Sequence, residues 1–499
     1  MSSPASSPDQ PTGSRAEPRG RGLRAGALKA RDVVVISLAS SGPTQSIAVT
    51  LAAMLATVGY ASFLPIVICF IPMLGIAIGY QRLNAWQPSA GATYSWVGRA
   101  INPHAGFFAG WIMLMYYTVG TVSLTVPLGS YFLSFFSNSA ANNKYWVVLV
   151  GSAFDILVLV IAALGIKLSA RFNWGWAIFE YALMIGFAVA AIVMIYFTGL
   201  SGSVKTIDSL FTLPRTGLIS GILIAIFLYS GWDTAAYVGE EAKGRQAGSA
   251  AILSVVILFF IYSFVIFAFQ GIAPFGTMVN NEANILAFVG DKIGGGFWKN
   301  VMIVAVLGGT LASLQAAIVS SGRISFAMGR DRVFPKFFDN VHKRFRTPWN
   351  ATILLGLLNI VFLCGVMLFS GTIGKALNNI VSTLGLMAAI FYFLTAFTAV
   401  WYYRRVVTKS AGNLILGGIL PGFGAAFMAF VVIYELATGA LTGVEIVLGF
   451  GLALVGLVLS FVSKGVGHAK FYSDPTTSFG DKVEATLDGG EPPSEGFGV

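Results

Sequence analysis

Apolar runs of about 20 residues, each long enough to cross a bilayer as a helix, recur along the chain and are separated by short polar stretches. They fall at 33–59, 62–81, 104–136, 146–167, 172–198, 216–239, 249–272, 297–328, 350–370, 376–402, 412–437 and 441–463. The stretch 82–103 is not a span, because it carries Arg82, Pro88, Arg99 and Pro103. The pattern predicts an all-α integral membrane protein with twelve transmembrane helices.

Two runs are interrupted where interruption costs most. The first reads ISLASSGPTQSIAVTL over Ile36 to Leu51, with Ser40-Ser41-Gly42-Pro43-Thr44-Gln45 at its centre. The sixth holds Tyr229-Ser230-Gly231-Trp232-Asp233 at its centre. A helix broken inside the membrane leaves N–H and C=O groups that lipid cannot satisfy, so the gap must face protein, a cavity or a ligand. Half-helix N-termini offer N–H groups to anions, and exposed carbonyls receive cations. The breaks lie five spans apart and in spans of opposite direction, as an inverted repeat of five plus five requires. Residues 31–200 (spans one to five) and 216–404 (spans six to ten) are therefore expected as the two repeats, with 412–464 appended as two C-terminal helices. The competing reading is a pair of Gly and Pro kinks without a ligand, since both residues are common in membrane helices.

Composition agrees with the pattern: 56% of residues are hydrophobic and 10% charged, with mean hydropathy +0.78, against roughly 25% charged in a soluble domain. The 58 glycines suit close helix packing in lipid. Cys69 and Cys364 both fall inside spans, which argues against a disulfide framework. His104, His342 and His468 are scattered without metal-ligand spacing, so neither a metal nor a cofactor is expected.

The net charge of +10 is a topology signal. With the N-terminus placed inside, 25 of the 31 Lys and Arg fall on the inner side and 6 on the outer, which predicts both termini in the cytoplasm of a plasma-membrane protein. Dispersed over many loops, these charges speak against nucleic acid as a partner. Residues 1–30 and 470–499 are polar, rich in Gly, Pro and Ser or Glu, and expected to be disordered cytoplasmic tails. The first lacks the apolar region of a secretory signal. No GxxxxGK[ST] loop is present, which speaks against direct ATP-driven pumping, and no nucleophile–His–acid set argues for an enzyme.

The breaks supply the candidate site. On span one these are Ser40, Ser41, Gly42, Thr44 and Gln45, whose N–H groups would hold a carboxylate; Pro43 has no N–H to donate. On span six, the carbonyls of Tyr229, Ser230, Gly231 and Trp232 would receive an ammonium group. Packing by small residues is the alternative for span one. Asp233 is an intramembrane acid and functional by default; it could equally cap the second half of its helix. Glu180, inside span five, is the other coupling candidate, since burial favours the neutral, protonatable form of a carboxyl; a structural pairing is the alternative. Asp155 in span four is a further intramembrane acid without an assigned role. Glu435 and Glu445 are expected at the membrane interface, and Thr310, Ser313 and Gln315 are weaker candidates in span eight. Glu240, Glu241, Lys243, Arg323, Arg330 and Asp331 share the inner face, either as an ion-pair gate or as a solvated cluster.

Three motifs resemble a known family. QPSAGATYSWVGRAINPHAGFFAGW (Gln87 to Trp111) is similar to the segment after span two in the amino acid–polyamine–organocation permeases. FLYSGWDTAAYVGEEAKG resembles their span six, with its two glutamates, and SSGRISFAMGRDRVFPKFFDNVHKRFRTPW resembles the end of their span eight. The resemblance implies the inverted-repeat fold of the leucine transporter type. It also implies secondary active transport of amino acids or amines driven by protons, sodium or exchange. By the same resemblance Phe227 is the aromatic lid over the substrate, packing alone being the alternative, and Glu180 lies in the region where some proton-coupled members carry a Lys in place of a sodium ion. In the related sodium-coupled fold, span eight supplies hydroxyl ligands. One departure is Ser40-Ser41-Gly42-Pro43, where many members have Gly-x-Gly. The expected activity is proton-coupled symport of an amino acid or small amine, a neutral amino acid being mildly favoured because neither break offers a partner for a charged side group. An exchanger, or a substrate sensor on a transporter fold, is the alternative.

Overall fold

The computed structural model describes residues 23, 26–164, 166–209, 217–242, 246–369, 373–439, 441, 443–467 and 470–473. Most of the two expected tails, with Lys243 and Arg245, lies outside the described residues. Among these, twelve helical spans are long and apolar enough to cross a membrane, and β structure is limited to an isolated bridge between Leu28 and Ala242.

The first span is two helices, α1 (Ala30–Ser41) and α2 (Pro43–Val58). The chain turns at Gly42 with φ 40 and ψ 76, a left-handed conformation that glycine adopts without a Cβ penalty. Pro43 then opens α2 at a position where a missing N–H is harmless. α3 (Phe63–Trp86) is followed by the short α4 (Thr93–Ala100) over part of the polar 82–103 stretch. Next come α5 (Pro103–Ser134), α6 (Lys144–Leu164) and α7 (Ile166–Ile192). The sixth span is again divided, into α8 (Leu218–Tyr229) and α9 (Thr234–Tyr237). α10 (Gln246–Gln270), α11 (Gly296–Arg330), α12 (Trp349–Phe369), α13 (Ile373–Tyr403), α14 (Leu420–Thr438) and α15 (Leu452–Gly467) complete the bundle.

Burial separates centre from periphery. The most apolar stretches of α5 and of the sixth span are 83% buried and that of α11 is 78% buried, whereas those of the last two spans are 33% and 17% buried. α15 instead exposes Leu454, Val455, Leu457, Val458 and Phe461, a surface suited to lipid. Several buried hydroxyls are satisfied within their own helix. Thr118 donates to the Leu114 carbonyl at 2.8 Å and Ser254 to that of Ala250 at 2.8 Å, the back-bonding that hides a hydroxyl within its own helix.

At one end of the bundle, charged groups close a network. Arg323 and Glu241 pair at 2.6 Å with both side chains buried. Arg330 donates to both oxygens of Glu240 at 3.0 and 3.3 Å, and the Ala90 N–H donates to the same carboxylate at 2.8 Å. Tyr94 donates to Asp331 at 2.8 Å. Five of the six inner-face residues are thus built into the bundle rather than solvated; Lys243 lies outside the described residues. Described residues near both termini join them: the Leu28 N–H donates to the Glu241 carbonyl at 3.0 Å, and buried Phe471 stacks on Tyr94 at 5.1 Å. Burial pushes the Glu240 carboxyl up, but the Arg330 guanidinium, the Ala90 N–H and the Arg323 charge together hold the group below its ordinary value. The pair therefore stabilises the fold above the ordinary carboxylate range and is lost as pH falls through that lowered value.

Breaking the buried pair on one side strands a charge, at a cost of about 3–5 kcal/mol. Arg323→Ala is expected to lower the melting temperature in detergent strongly. The double variant Arg323→Met with Glu241→Gln, which removes both charges, should recover most of the loss.

Candidate functional site

The two breaks meet. A Cβ added to Gly231 would lie 2.8 Å from the carbonyl carbon and oxygen of Ser40 and from the Ser41 nitrogen. Gly231 has φ 102, so its conformation and the contact both require glycine. Side chains stitch the breaks together: Ser37 donates to the Trp232 carbonyl at 2.6 Å and Thr234 to the Ser40 hydroxyl at 2.7 Å. The carbonyl end of α1 is satisfied from three neighbours. Ser313 on α11 donates to the Ala39 carbonyl at 2.8 Å, Tyr262 on α10 to that of Ser41 at 3.1 Å, and Tyr181 on α7 to that of Leu38 at 3.4 Å. At the start of α2, Pro43 has no N–H, so those of Thr44 and Gln45 are the first donors of that half-helix.

Beside this junction lies a cleft of about 430 Å³, counted with its open mouth. Of the residues expected there, Ser40, Gln45, Phe227, Ser230 and Gly231 line it. The other five point elsewhere. Ser41 donates back to the Ser37 carbonyl at 3.2 Å. Gly42 presses on α11, where a Cβ would meet the Ser313 hydroxyl at 2.0 Å. Thr44 donates to Glu180, Tyr229 donates to the Ile66 carbonyl at 3.1 Å, and Trp232 stacks on Tyr392 with ring centres 5.4 Å apart.

The opposite wall comes from α5, through Tyr116, Tyr117, Gly120, Ser123 and Leu124. The Tyr116 hydroxyl donates to that of Ser230 at 2.5 Å, and the Gln45 amide to the Ser123 carbonyl at 3.5 Å. Sequence reasoning missed this wall, although Tyr116, Gly120 and Ser123 recur at the spacing of one helix face and mark a small, polar stripe in an apolar run. Ser313, a weaker candidate, also lines the cleft, while Thr310 turns back onto the Val306 carbonyl at 2.6 Å. Leu384 on α13 carried no signal that could have singled it out. None of the residues lining the cleft is charged.

The acids stand just behind it. Glu180 is 1% exposed; one oxygen accepts from the Thr44 hydroxyl at 3.0 Å, and the other has no hydrogen-bond partner. It fits against α11 because Gly309 leaves room: a Cβ there would lie 2.0 Å from the carboxylate. Asp233 does not cap α9. It accepts instead from Tyr237 at 2.6 Å, Tyr392 at 3.1 Å, Tyr117 at 3.2 Å and the Gly231 N–H at 3.2 Å. Asp155 is buried on α6, away from the cleft. Glu435 and Glu445, expected at the interface, are both buried; Glu435 accepts from Ser220 at 3.2 Å, so a neighbouring helix rather than water solvates it. Among the described residues no three His, Cys, Asp or Glu side chains gather as a metal site.

A model of the amino acid permease family matches residues 32–462. Over 305 residues the chain is 27% identical to the low-affinity putrescine importer PlaP of Escherichia coli (strain K12), covering 58% of this chain and 64% of that protein. Over 298 residues it is 24% identical to a methylthioribose transporter of Bacillus subtilis (strain 168), covering 56% and 62%. Over 305 residues it is 22% identical to the branched-chain amino acid permease BcaP of Lactococcus lactis subsp. cremoris (strain MG1363), covering 57% and 64%. The chain thus spans less than two thirds of the length of each of these relatives.

Gly231→Ala drives a methyl into the Ser40 carbonyl and forces a left-handed φ, with a backbone cost on the order of 1–3 kcal/mol. A lower melting temperature is expected, together with loss of any ligand-induced stabilisation. Gly186→Ala, where a Cβ meets nothing within 4 Å, should leave both unchanged.

Proposed function

The chain belongs to the amino acid permease family, within the amino acid–polyamine–organocation superfamily, and on that premise we propose that it is a secondary active transporter of an amino acid or related small amine. It works by alternating access across the plasma membrane, with both termini in the cytoplasm, and is driven by proton symport. The observation that carries this reading is the junction itself. Two interrupted spans meet backbone to backbone beside a cleft, which brings half-helix N–H groups and carbonyl ends to one place. The five-plus-five inverted repeat belongs to the same proposal, since the breaks fall in spans one and six.

In this reading N–H groups at the start of α2, where Gln45 lines the cleft, hold the substrate carboxylate. Ser40, Ser230 and nearby carbonyls receive its ammonium group, and Phe227 covers it. The uncharged lining favours a neutral amino acid over a diamine, whose second ammonium group would enter without a counter-charge. Coupling falls to Glu180. It touches the start of α2 through Thr44, and one of its oxygens is without a partner, so a proton added there breaks no existing bond. Its charge state is then felt at the first break.

Proteoliposomes with an inward proton gradient and no sodium should concentrate labelled leucine more than labelled putrescine, and lose it when the gradient is dissipated. Uptake only into preloaded vesicles would make the protein an exchanger. Glu180→Gln should bind substrate but lose the pH dependence of uptake; a normal pH profile in that variant would remove Glu180 from the coupling role.

A further inference from the structure

We propose that Asp233 is a positioning residue: a fixed anion, clamped by phenols from three helices, that sets the geometry of the sixth-span break and takes no part in proton movement. The proposal rests on the transport reading and reassigns one of its two coupling candidates.

The argument begins with hydrogen-bond capacity. Both oxygens of Asp233 are engaged, one by Tyr237 at 2.6 Å and Tyr117 at 3.2 Å, the other by Tyr392 at 3.1 Å and the Gly231 N–H at 3.2 Å. Charge-assisted bonds of this kind are the strong ones, and a fully satisfied buried network holds a unique geometry. A proton on either oxygen would have to be accepted by one of these phenols, which would then turn its own hydrogen away from the carboxylate, in a site where Asp233 is 0% exposed. Glu180 presents the opposite case, with one donor and one open oxygen. Of the two acids, only Glu180 can take up a proton without dismantling its surroundings.

One of the donors is itself packed in place. Tyr392 lies flat against Trp232, with ring planes 11° apart, and Tyr80 meets the same indole edge-on at 4.9 Å. Tyr80 is tethered in turn, its hydroxyl 3.0 Å from that of Thr93. The titratable groups around Asp233 are therefore tyrosines: Tyr117 from α5, Tyr237 from α9, Tyr392 from α13, with Tyr80 from α3 and Tyr116 from α5 just beyond. None of them can act as a counter-cation, so the anion is held by hydrogen bonds alone.

This clamp reaches the cleft through its neighbours. On α5, Tyr116 and Tyr117 are consecutive and grip the break on either side of Gly231: Tyr116 through Ser230, Tyr117 through Asp233. Asp233 also holds the Gly231 N–H itself. The cleft wall formed by Ser230 and Gly231 is thereby registered against α5 and α13, although Asp233 does not line the cleft.

The test uses the full chain in proteoliposomes, with labelled leucine as probe. Asp233→Asn keeps the shape but replaces an all-acceptor group by one that must donate. It is expected to raise KM on the order of a hundredfold while leaving the pH profile of uptake where it stands in the wild type. Tyr117→Phe, Tyr237→Phe and Tyr392→Phe, which remove one bond each, should each raise KM on the order of tenfold, again without moving the profile. A flattened or displaced pH profile in Asp233→Asn would overturn the proposal, as would unchanged KM in all three phenylalanine variants. Should Asp233→Asn fail to fold, the phenylalanine variants decide the matter. A second readout does not depend on transport. In an infrared pH titration, the Asp233→Asn difference should show loss of a carboxylate band, and a protonated-acid band at Asp233 would refute the clamp even if the wild type carried no leucine at all.

Discussion

Backbone groups inside a membrane must be bonded to protein, and everything in this bundle follows from having two places where the helical ladder stops. Breaking one span exposes carbonyls at one side of the gap and N–H groups at the other. Here the gaps are set against each other, Gly231 touching the peptide between Ser40 and Ser41, so each break is walled by the other's backbone. The remaining carbonyls are reached by hydroxyls: Ser313, Tyr262 and Tyr181 attend the end of α1. The sixth span, α5 and α11 are the most buried, and all three contribute residues to the cleft beside the junction.

The buried acids illustrate how context divides one chemistry into two. Asp233 and Glu180 are both withdrawn from solvent and both adjoin a break. The first meets three phenols and a backbone N–H; the second meets one hydroxyl and otherwise empty acceptor space. In the transport we propose, a fixed geometry at the sixth span and a switchable charge beside the first would be complementary requirements.

The charged network at the end of the bundle stands apart from the cleft. Glu240 and Glu241 follow α9 directly, and their arginine partners sit on the last two turns of α11. Because the Leu28 N–H and the Phe471 ring join this same cluster, described residues near both termini are fastened where the sixth span leaves the bundle. The helix carrying Ser313 into the cleft thus also carries the arginines that close this end.

Twelve spans, their limits to within a few residues, and the two breaks were legible in the chain itself, because hydrophobic run length and the Ser-Ser-Gly-Pro and Tyr-Ser-Gly-Trp interruptions are local properties. That Ser40, Gln45, Phe227, Ser230 and Gly231 face a cleft while Ser41, Gly42, Thr44, Tyr229 and Trp232 do not was not legible, since a break has no helical period from which to read a facing side. The α5 wall could have been read from Tyr116, Gly120 and Ser123, but only once something placed that helix opposite the breaks. The fate of the acids lay furthest from sequence. Asp233 is separated by 116 residues from Tyr117 and 159 from Tyr392, and Glu180 by 136 from Thr44. Composition and periodicity decide that a segment crosses the membrane; which hydroxyl reaches which carboxylate is decided only when distant helices pack, because hydrogen bonds act over about 3 Å and the sequence does not encode that distance.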